Sequence, residues 1–191
     1  IHTIRRPRPD DYQIKQAAEL IKKSKNPIII SGGGVFYSDA MKEISQFAKK
    51  HNIPTAQTVM GYSTMKKDDP YFLGAIGGFG GKAPNNFMKK TDLAIAVGTK
   101  LADFTTGSWS NFENPNFKLV SINVSRFDAN KHMAQSIVGD AKVSLQDLTN
   151  YLGTWRSPEE WYKKSRSAVE SWNNYLEKES GPTNQKTPSY A

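Results

Sequence analysis

The stretch LAIAVGTKLADFTTGSWSNF, residues 93–112, decides the fold class of this sequence. It begins with the most strand-like run of the chain, LAIAVG (93–98), an uninterrupted apolar run typical of a strand buried on both faces. A polar loop follows that contains aromatic and hydroxyl side chains but no histidine or cysteine. The end of this strand is therefore a candidate site without an obvious catalytic residue.

Working outward, further apolar runs alternate with helical patterns. The predicted strands are 27–31, 53–59, 72–78, 93–98, 118–124 and 135–139. Strands that alternate with helices predict an α/β fold with right-handed crossovers. We expect an open, parallel, six-stranded Rossmann-like sheet with helices on both faces. Such sheets bind ligands beyond the carboxyl ends of their strands, which is where the loop after residue 98 begins.

The predicted helices have recognisable starts and stops. The first is capped by Asp10 or Asp11 and ends near Asn26, the second is capped by Ser38, and a later one by Asp140. Another helix is expected from Pro84 to Lys89 and Lys90.

The C-terminal region predicts one long helix. SPEEW (157–161) has the pattern of a capping box, with Pro158 at the first helical position. Its aromatic edge, which includes Trp161, Trp172 and Tyr175, is expected to pack on the body; a partner surface is the alternative. ESGPTNQKTPSYA (179–191) has the composition of a linker.

Composition narrows the class of protein. The 191 residues suit one domain, and the absence of cysteine excludes disulfides and thiolate metal sites. No apolar run approaches the roughly 18–20 residues of a membrane helix, and the N-terminus lacks the apolar region of a signal peptide. We therefore expect a cytoplasmic protein with no membrane partner. The sequence begins without methionine, so a piece of a longer chain is expected.

The net charge of +8 raises nucleic acid as a partner. The basic residues, however, cluster where predicted helices end: Lys22, Lys23 and Lys25, then Lys49 and Lys50, then Lys89 and Lys90. Cations at these positions offset the helix macrodipole. No basic stripe is interleaved with aromatic residues, so nucleic-acid binding is not expected.

The glycines of SGGGVFY (31–37) invite comparison with a dinucleotide-binding loop. Tyr37 occupies the place of the third glycine, and the next strand ends with Gln57 and Thr58 rather than an acidic residue, so NAD is not expected. Gly32, Gly33 and Gly34 could still present backbone amides to a phosphate; a purely structural turn is the alternative.

A second candidate group follows the strand at 93–98. Gly98, Thr99 and Lys100 stand where a phosphate or ribose would lie, with Asn123 at the end of a later strand. Lys100 would act as a point charge.

No complete catalytic or metal constellation is recognisable. Ser108 does not fit a nucleophile elbow, and Asp68, Asp69 and Asp103 form no evident acid–base pair. The histidines His2, His51 and His132 are scattered, and His51 is expected to be a helix-dipole partner. We therefore predict no catalytic residue and no metal ligand in this chain.

Several motifs in order resemble the middle domain of thiamine-diphosphate-dependent enzymes, a family that includes acetolactate synthase and pyruvate oxidase. They are PIIISGGGVFYSDA (27–40), IPTAQTVMGYST (53–64), LGAIGGFGGKAPNNFMKKTDLAIAVGTKLADFTTGSW (73–109) and VGDA (138–141). The resemblance covers residues 4–155. It implies a middle domain at 1–180, a linker at 181–191, and other domains of the same polypeptide that hold thiamine diphosphate and Mg²⁺.

IRRPRPD and DFTTGSWSNF favour a branch that hydrolyses a C–C bond in a cyclic 1,2-dione during inositol degradation. The resemblance then implies a homodimer or homotetramer, with Phe104, Thr105 and Trp109 facing a substrate channel or an interdomain contact. A nucleotide-binding regulatory or structural module is the alternative. FAD is not expected, because Lys100 and Ser125 stand where flavin-binding relatives carry arginine and aspartate.

Overall fold

The structure, a computed structural model, describes residues 5–181 and contains one open sheet. All its neighbouring strands are parallel, in the order β3-β2-β1-β4-β5-β6. The strands are β1 (Pro27–Ser31), β2 (Thr55–Gln57), β3 (Phe72–Ala75), β4 (Leu93–Val97), β5 (Lys118–Asn123) and β6 (Gln135–Val138). The predicted six-stranded Rossmann-like sheet is confirmed. The chain changes direction across the sheet between β1 and β4, so the topological switch point lies there.

Helices connect these strands and extend the chain beyond them. They are α1 (Asp11–Lys23), α2 (Gly33–Tyr37), α3 (Met41–His51), α4 (Lys82–Met88), α5 (Asp103–Thr106), α6 (Arg126–Ala129), α7 (Ala141–Leu152) and α8 (Glu159–Glu179). Short 3₁₀ turns occupy Val59–Gly61 and Lys131–Met133. Thr58 caps the first of these turns, which is why β2 ends earlier than the predicted strand at 53–59.

Two apolar clusters cover the two faces of the sheet. The first packs α1, α3 and α7 against residues such as Ile29 and Ile95, and the second packs α4 and α8 against Ile28 and Ile30. Successive residues of β1 thus serve opposite faces, as the pleat of a strand requires. This explains why the central strands read as continuous apolar runs rather than alternating ones.

The aromatic edge of α8 packs on the body at its start. The Trp161 indole Nε1 donates to Pro27 O at 2.8 Å, and its ring stacks on Phe87 with 4.1 Å between centroids. Farther along, Trp172 is half-buried and Tyr175 is 51% exposed. The predicted packing is therefore confirmed as far as Trp172: Ala168 and Val169 pack against the second apolar cluster, and Trp172 Nε1 would lie 3.0 Å from a Cβ on Gly81.

Two predicted caps are wrong for the same reason. Ser38 does not cap α3, because its hydroxyl donates to the carboxylate of Asp140. Ser157 does not form a capping box, because its hydroxyl donates to Asn52 O; Pro158 is the N-cap of α8, with ψ 131°. In both cases the hydroxyl donates a hydrogen bond to a residue that is distant in sequence. Asp140 does cap α7 as predicted, accepting from Lys142 N at 3.0 Å.

His51 is not the charged helix-dipole partner that the sequence suggests. Its side chain is fully buried, and Nδ1 lies 2.8 Å from Trp155 O. Burial is the main cause that lowers its pKa, and Lys50 and Arg156 lower it further. The imidazole is therefore neutral at pH 7.

The ends of the chain stay outside this description. Apart from Gly181, the predicted linker at 181–191 lies outside the described residues, as do residues 1–4. α1 ends at Lys23, three residues before the predicted end near Asn26, and Ser24 is its C-cap. Within residues 5–181, no helix combines the length and apolar character needed to cross a membrane.

Candidate functional site

The switch point at the ends of β1 and β4 is closed by glycine contacts. Gly32 N donates to Val97 O at 2.8 Å, and Gly34 N donates to Gly98 O at 2.9 Å. A Cβ atom on Gly32 would lie 2.4 Å from Gly98 O, and one on Gly34 would lie 2.6 Å from Gly98 Cα. The two loops therefore cross at a distance that only glycine permits. Two of the amides predicted to bind phosphate are already hydrogen-bonded.

The remaining predicted cofactor contacts lie beside this crossing. Thr99 is buried, and its hydroxyl accepts from Leu101 N at 3.3 Å. Asn123 donates through Nδ2 to Thr99 O at 3.2 Å and accepts from Ser125 N at 3.0 Å. Lys100 is exposed. The side chains of Thr99 and Asn123 are thus already used: the first bonds within the loop after β4, and the second ties the end of β5 to that loop.

The loop after β4 contains several residues in the left-handed backbone region. Leu101 has φ 48°, Gly107 59°, Ser108 52° and Trp109 69°. Left-handed backbone costs a non-glycine residue about 1–2 kcal/mol, and it is rare for a side chain as large as tryptophan. Strain of this kind persists only where the surrounding structure imposes it, and it concentrates at functional sites.

Phe104 and Phe79 project from this end of the sheet. Their ring centroids are 4.8 Å apart, and they are 53% and 77% exposed. Gly78 N donates to Phe104 O at 2.9 Å, and a Cβ on Gly77 (φ 88°) would lie 2.4 Å from Phe104 O. The loop after β3 is therefore locked against the loop after β4, and together they present two aromatic rings to solvent.

These rings belong to a larger group of exposed apolar side chains that follow the carboxyl ends of the first four strands. Phe36 and Tyr37 follow β1, and Met60 follows β2; they are 55%, 74% and 72% exposed. We call these residues the carboxyl-edge surface: Phe36, Tyr37, Met60, Phe79 and Phe104. A concentration of exposed apolar side chains marks a contact surface or a ligand groove. Except for Phe104, the sequence interpretation missed them, although each comes within a few residues of a predicted strand end.

Trp109 and Thr105 occupy different positions from Phe104. Trp109 is half-buried, with its ring 4.2 Å from His132 and 5.0 Å from Phe112, and it packs against the second apolar cluster. The backbone of Thr105 lies against Gly77. Partial burial is the main cause that lowers the pKa of His132. Trp109 thus packs against the body, whereas Phe104 is exposed on the carboxyl-edge surface.

The donor set described here does not fit a metal-bound diphosphate. Within residues 5–181, no three His, Asp or Glu side chains lie close enough together to hold a metal ion. The His132 ring packs on Trp109, with 4.2 Å between centroids and the planes tilted by 55°. The chemistry that this arrangement supports is apolar contact.

The fold and site define a class: a Rossmann-like α/β domain whose switch point is closed and whose carboxyl edge is apolar. A comparison with protein families identifies which one. The family described as the central domain of thiamine pyrophosphate enzymes matches residues 14–148, more than half of the 191-residue chain. The chain belongs to this family, as its resemblance to thiamine-diphosphate-dependent enzymes predicts.

Curated relatives are similar over most of the chain. It is 38% identical over 178 residues to a 3D-(3,5/4)-trihydroxycyclohexane-1,2-dione hydrolase of Clostridium perfringens, covering 93% of this chain and 28% of the relative. It is 43% identical over 162 residues to the protein of that name from Clostridium botulinum, with coverages of 82% and 25%. For hydrolase 2 of Bacillus cereus the identity is 39% over 176 residues, with coverages of 92% and 27%. The chain thus spans about a quarter of the length of these relatives.

Proposed function

We propose that this chain is the central domain of a thiamine-diphosphate-dependent hydrolase that opens 3D-(3,5/4)-trihydroxycyclohexane-1,2-dione at a C–C bond in inositol degradation. The observation that carries the proposal is the 38–43% identity over 82–93% of the chain to hydrolases of that name. Thiamine diphosphate, Mg²⁺ and the catalytic groups belong to other domains. A cytoplasmic location fits the absence of cysteine.

Within that enzyme, the carboxyl-edge surface has the role of docking the other domains or lining a channel between them. Its support is the exposure of Phe79 and Phe104 on loops that are rigidly held by Gly77 and Gly78. Burying a large apolar side chain contributes about 1.5–3 kcal/mol. A few such rings therefore supply enough free energy to fix one domain on another. The parent enzyme is expected to be a homodimer or homotetramer.

The activity is tested with the full-length enzyme and the isolated chain side by side. The full-length enzyme is expected to hydrolyse the dione only with thiamine diphosphate and Mg²⁺, and the 191-residue chain is expected to be inactive. Hydrolysis by the isolated chain, or a full-length enzyme that leaves the dione intact, would overturn the proposal.

The interdomain role is tested by Thr105→Ala and Trp109→Ala in the full-length enzyme. Each is expected to lower kcat/KM or weaken assembly, because both residues support the loop that carries Phe104. Tyr12→Ala is the control, since Tyr12 is 68% exposed and lies outside the carboxyl-edge surface. Unchanged kinetics and assembly for both loop variants would contradict the role.

A second candidate function is nucleotide binding at the switch point. It is favoured by one observation: Gly98 and Thr99 lie against the glycine loop at the ends of β1 and β4, Asn123 donates to Thr99 O, and Lys100 follows Thr99 in the chain. ADP is the expected ligand and FAD is not. A ligand at 100 times its Kd would stabilise the protein by about 2.7 kcal/mol, so a thermal-shift comparison of ADP, FAD, NAD and CoA decides this candidate. The absence of any shift would leave a structural domain.

A further inference from the structure

A pocket of about 540 Å³ lies at the carboxyl ends of β2 and β3, away from the β1–β4 crossing. The segment 62–67 forms one wall, and the edge strand β3 forms the other. The residues that matter for its chemistry are Gln57, Tyr62, Ser63, Lys66, Lys67 and Phe72. The volume is in the range of small-molecule sites.

Gln57 is a buried polar side chain in this pocket whose hydrogen bonding is incomplete. The residue is 6% exposed, and Oε1 is buried without a hydrogen-bond partner among residues 5–181. Its backbone is satisfied, since Ile76 N donates to Gln57 O at 3.0 Å. A buried amide oxygen left unpaired costs free energy, so its retention needs an explanation such as a bound molecule.

Two hydroxyls at this end of β1 and β2 already donate to other groups. Ser31 Oγ donates to Thr64 Oγ1, and Thr64 Oγ1 donates to Gly61 O, both at 2.6 Å. Ser31 is the direct neighbour of Gln57 across the β1–β2 pair. The hydroxyls of Ser31 and Thr64 therefore have acceptors already, and neither donates to the Gln57 amide oxygen.

The charge of the pocket is entirely positive. Lys66 and Lys67 line it, and no aspartate or glutamate does. Neither lysine forms an ion pair with a carboxylate within the described part of the chain. Asp69, close in sequence, accepts from Ser45 Oγ at 2.6 Å and Tyr71 N at 2.9 Å. Asp68 lines the adjoining cavity but not this pocket. Two lysines that form no ion pair among residues 5–181 fit a negatively charged ligand.

We propose that this pocket binds a small hydroxylated anion, that is, a hydroxy acid or a sugar phosphate. A hydroxyl of the ligand would pair with the Gln57 amide, and its carboxylate or phosphate would lie against Lys66 and Lys67. The carbon skeleton would rest on Tyr62 and Phe72. The pocket shares no residue with the predicted nucleotide contacts, so the proposal is independent of that candidate.

The test uses isothermal titration of the protein with four probes. D-gluconate and glucose 6-phosphate carry hydroxyls and a charge, sorbitol carries hydroxyls alone, and acetate carries charge alone. Gluconate, glucose 6-phosphate or both are expected to bind at least tenfold more tightly than sorbitol and acetate. Equal binding of acetate and gluconate, or no binding of either hydroxylated anion, would overturn the proposal.

Variants identify the groups. Lys66→Gln with Lys67→Gln is expected to weaken binding at least tenfold, whereas Lys49→Gln with Lys50→Gln, an adjacent lysine pair outside the pocket, leaves it unchanged. Gln57→Leu is expected to abolish binding and to raise the melting temperature without ligand, because it removes the unpaired amide at similar volume. A Gln57→Leu protein that still binds, or a lysine double variant with full affinity, contradicts the assignment.

Discussion

The two parts of the carboxyl edge of the sheet are built in opposite ways. Where β1 and β4 end, Gly32, Gly34 and Gly98 lie in contact, and the amides of Gly32 and Gly34 bond to the opposite loop. Where the loops after β3 and β4 meet, Phe79 and Phe104 are more than half exposed, and the following loop carries left-handed Ser108 and Trp109. The first part is complete within this chain, and the second presents groups that further contacts would bury.

This difference teaches where the domain gains its own stability and where it contributes to a larger enzyme. Close glycine packing leaves no room for change, since interiors respond to even one added methyl group. Exposed rings contribute little to the folded chain alone but gain free energy when another surface covers them. Substitutions at the two parts should therefore behave differently, and the following experiments test that contrast.

The largest effect is expected from Gly98→Ala, measured against Gly107→Ala by urea denaturation. Both glycines have left-handed φ, 61° and 59°. A Cβ on Gly98 would lie 2.6 Å from the backbone atom Gly34 Cα, whereas the nearest atom to one on Gly107 would be the side-chain Oγ of Ser110 at 3.0 Å. We expect Gly107→Ala to cost about 1–2 kcal/mol for its left-handed conformation. Gly98→Ala should cost about 3 kcal/mol or more, because overpacking adds to the conformational cost. Equal losses would show that the crossing is not tightly closed.

The next effect is expected from His51→Gln, which changes how the free energy of unfolding depends on pH. Burial lowers the pKa of His51 below its ordinary value of 6.5, so the unfolded chain takes up a proton before the folded one does. The contribution of neutral His51 to the free energy of unfolding is therefore fully present above about pH 6.5, and it is lost as the pH drops toward the folded pKa. His51→Gln is expected to flatten the stability profile between pH 7 and pH 5, measured by denaturant titration.

His132→Gln provides the comparison for His51. The pKa of His132 is lowered in the same direction, but its side chain is exposed beside Trp109. Its replacement should change the pH profile less. A larger change for His132 than for His51 would reverse the assignment of the acid-sensitive group.

A smaller effect on folding is expected from Phe104→Ala, together with a larger effect on the assembled enzyme. The isolated chain should lose less than about 1 kcal/mol, because the ring is half-exposed. In the full-length enzyme, kcat/KM or subunit association should fall about tenfold, equivalent to 1.4 kcal/mol. A Phe104→Ala enzyme with normal kinetics and assembly would remove the carboxyl-edge surface from the interdomain contact.

The smallest effect is expected from Ser108→Gly, which should raise the free energy of unfolding. Ser108 is exposed with φ 52°, a conformation that glycine adopts without steric cost, so stability should rise by about 0.5 kcal/mol. Ser110→Gly in the same loop is the control. Its hydroxyl donates to Gly107 O at 2.7 Å, so its loss should destabilise the protein. A loss of stability in Ser108→Gly would show that the loop is not strained at this residue.

The sheet could be predicted from the sequence because its signals are local. The apolar runs at β1, β4 and β5 mark strands buried on both faces, and Asp140 caps the helix that follows it. The predicted cap at Ser38 is wrong because the acceptor of its hydroxyl, Asp140, lies 102 residues away. The predicted capping box at Ser157 is wrong because the acceptor of its hydroxyl, Asn52, lies 105 residues away. A short polar side chain bonds to whichever acceptor the fold brings near.

The candidate site shows the same limit. Its residues were placed at one edge of the sheet by the rule that parallel strands end together, and they do meet there. Whether Gly32 and Gly34 offer free amides could not be predicted, because their acceptors come from Val97 and Gly98 in another loop. The unpaired amide of Gln57 likewise depends on the bond between Ser31 and Thr64.

The sequence by itself determined the α/β class, the order of strands and helices along the chain, and the family. Apolar periodicity and short motifs are properties of neighbouring residues, so they can be seen without the fold. Only the tertiary structure decided which side chains and amides are already bonded and which apolar rings remain exposed. Hydrogen bonding and burial depend on atoms within a few ångströms, and most of those atoms come from distant parts of the chain.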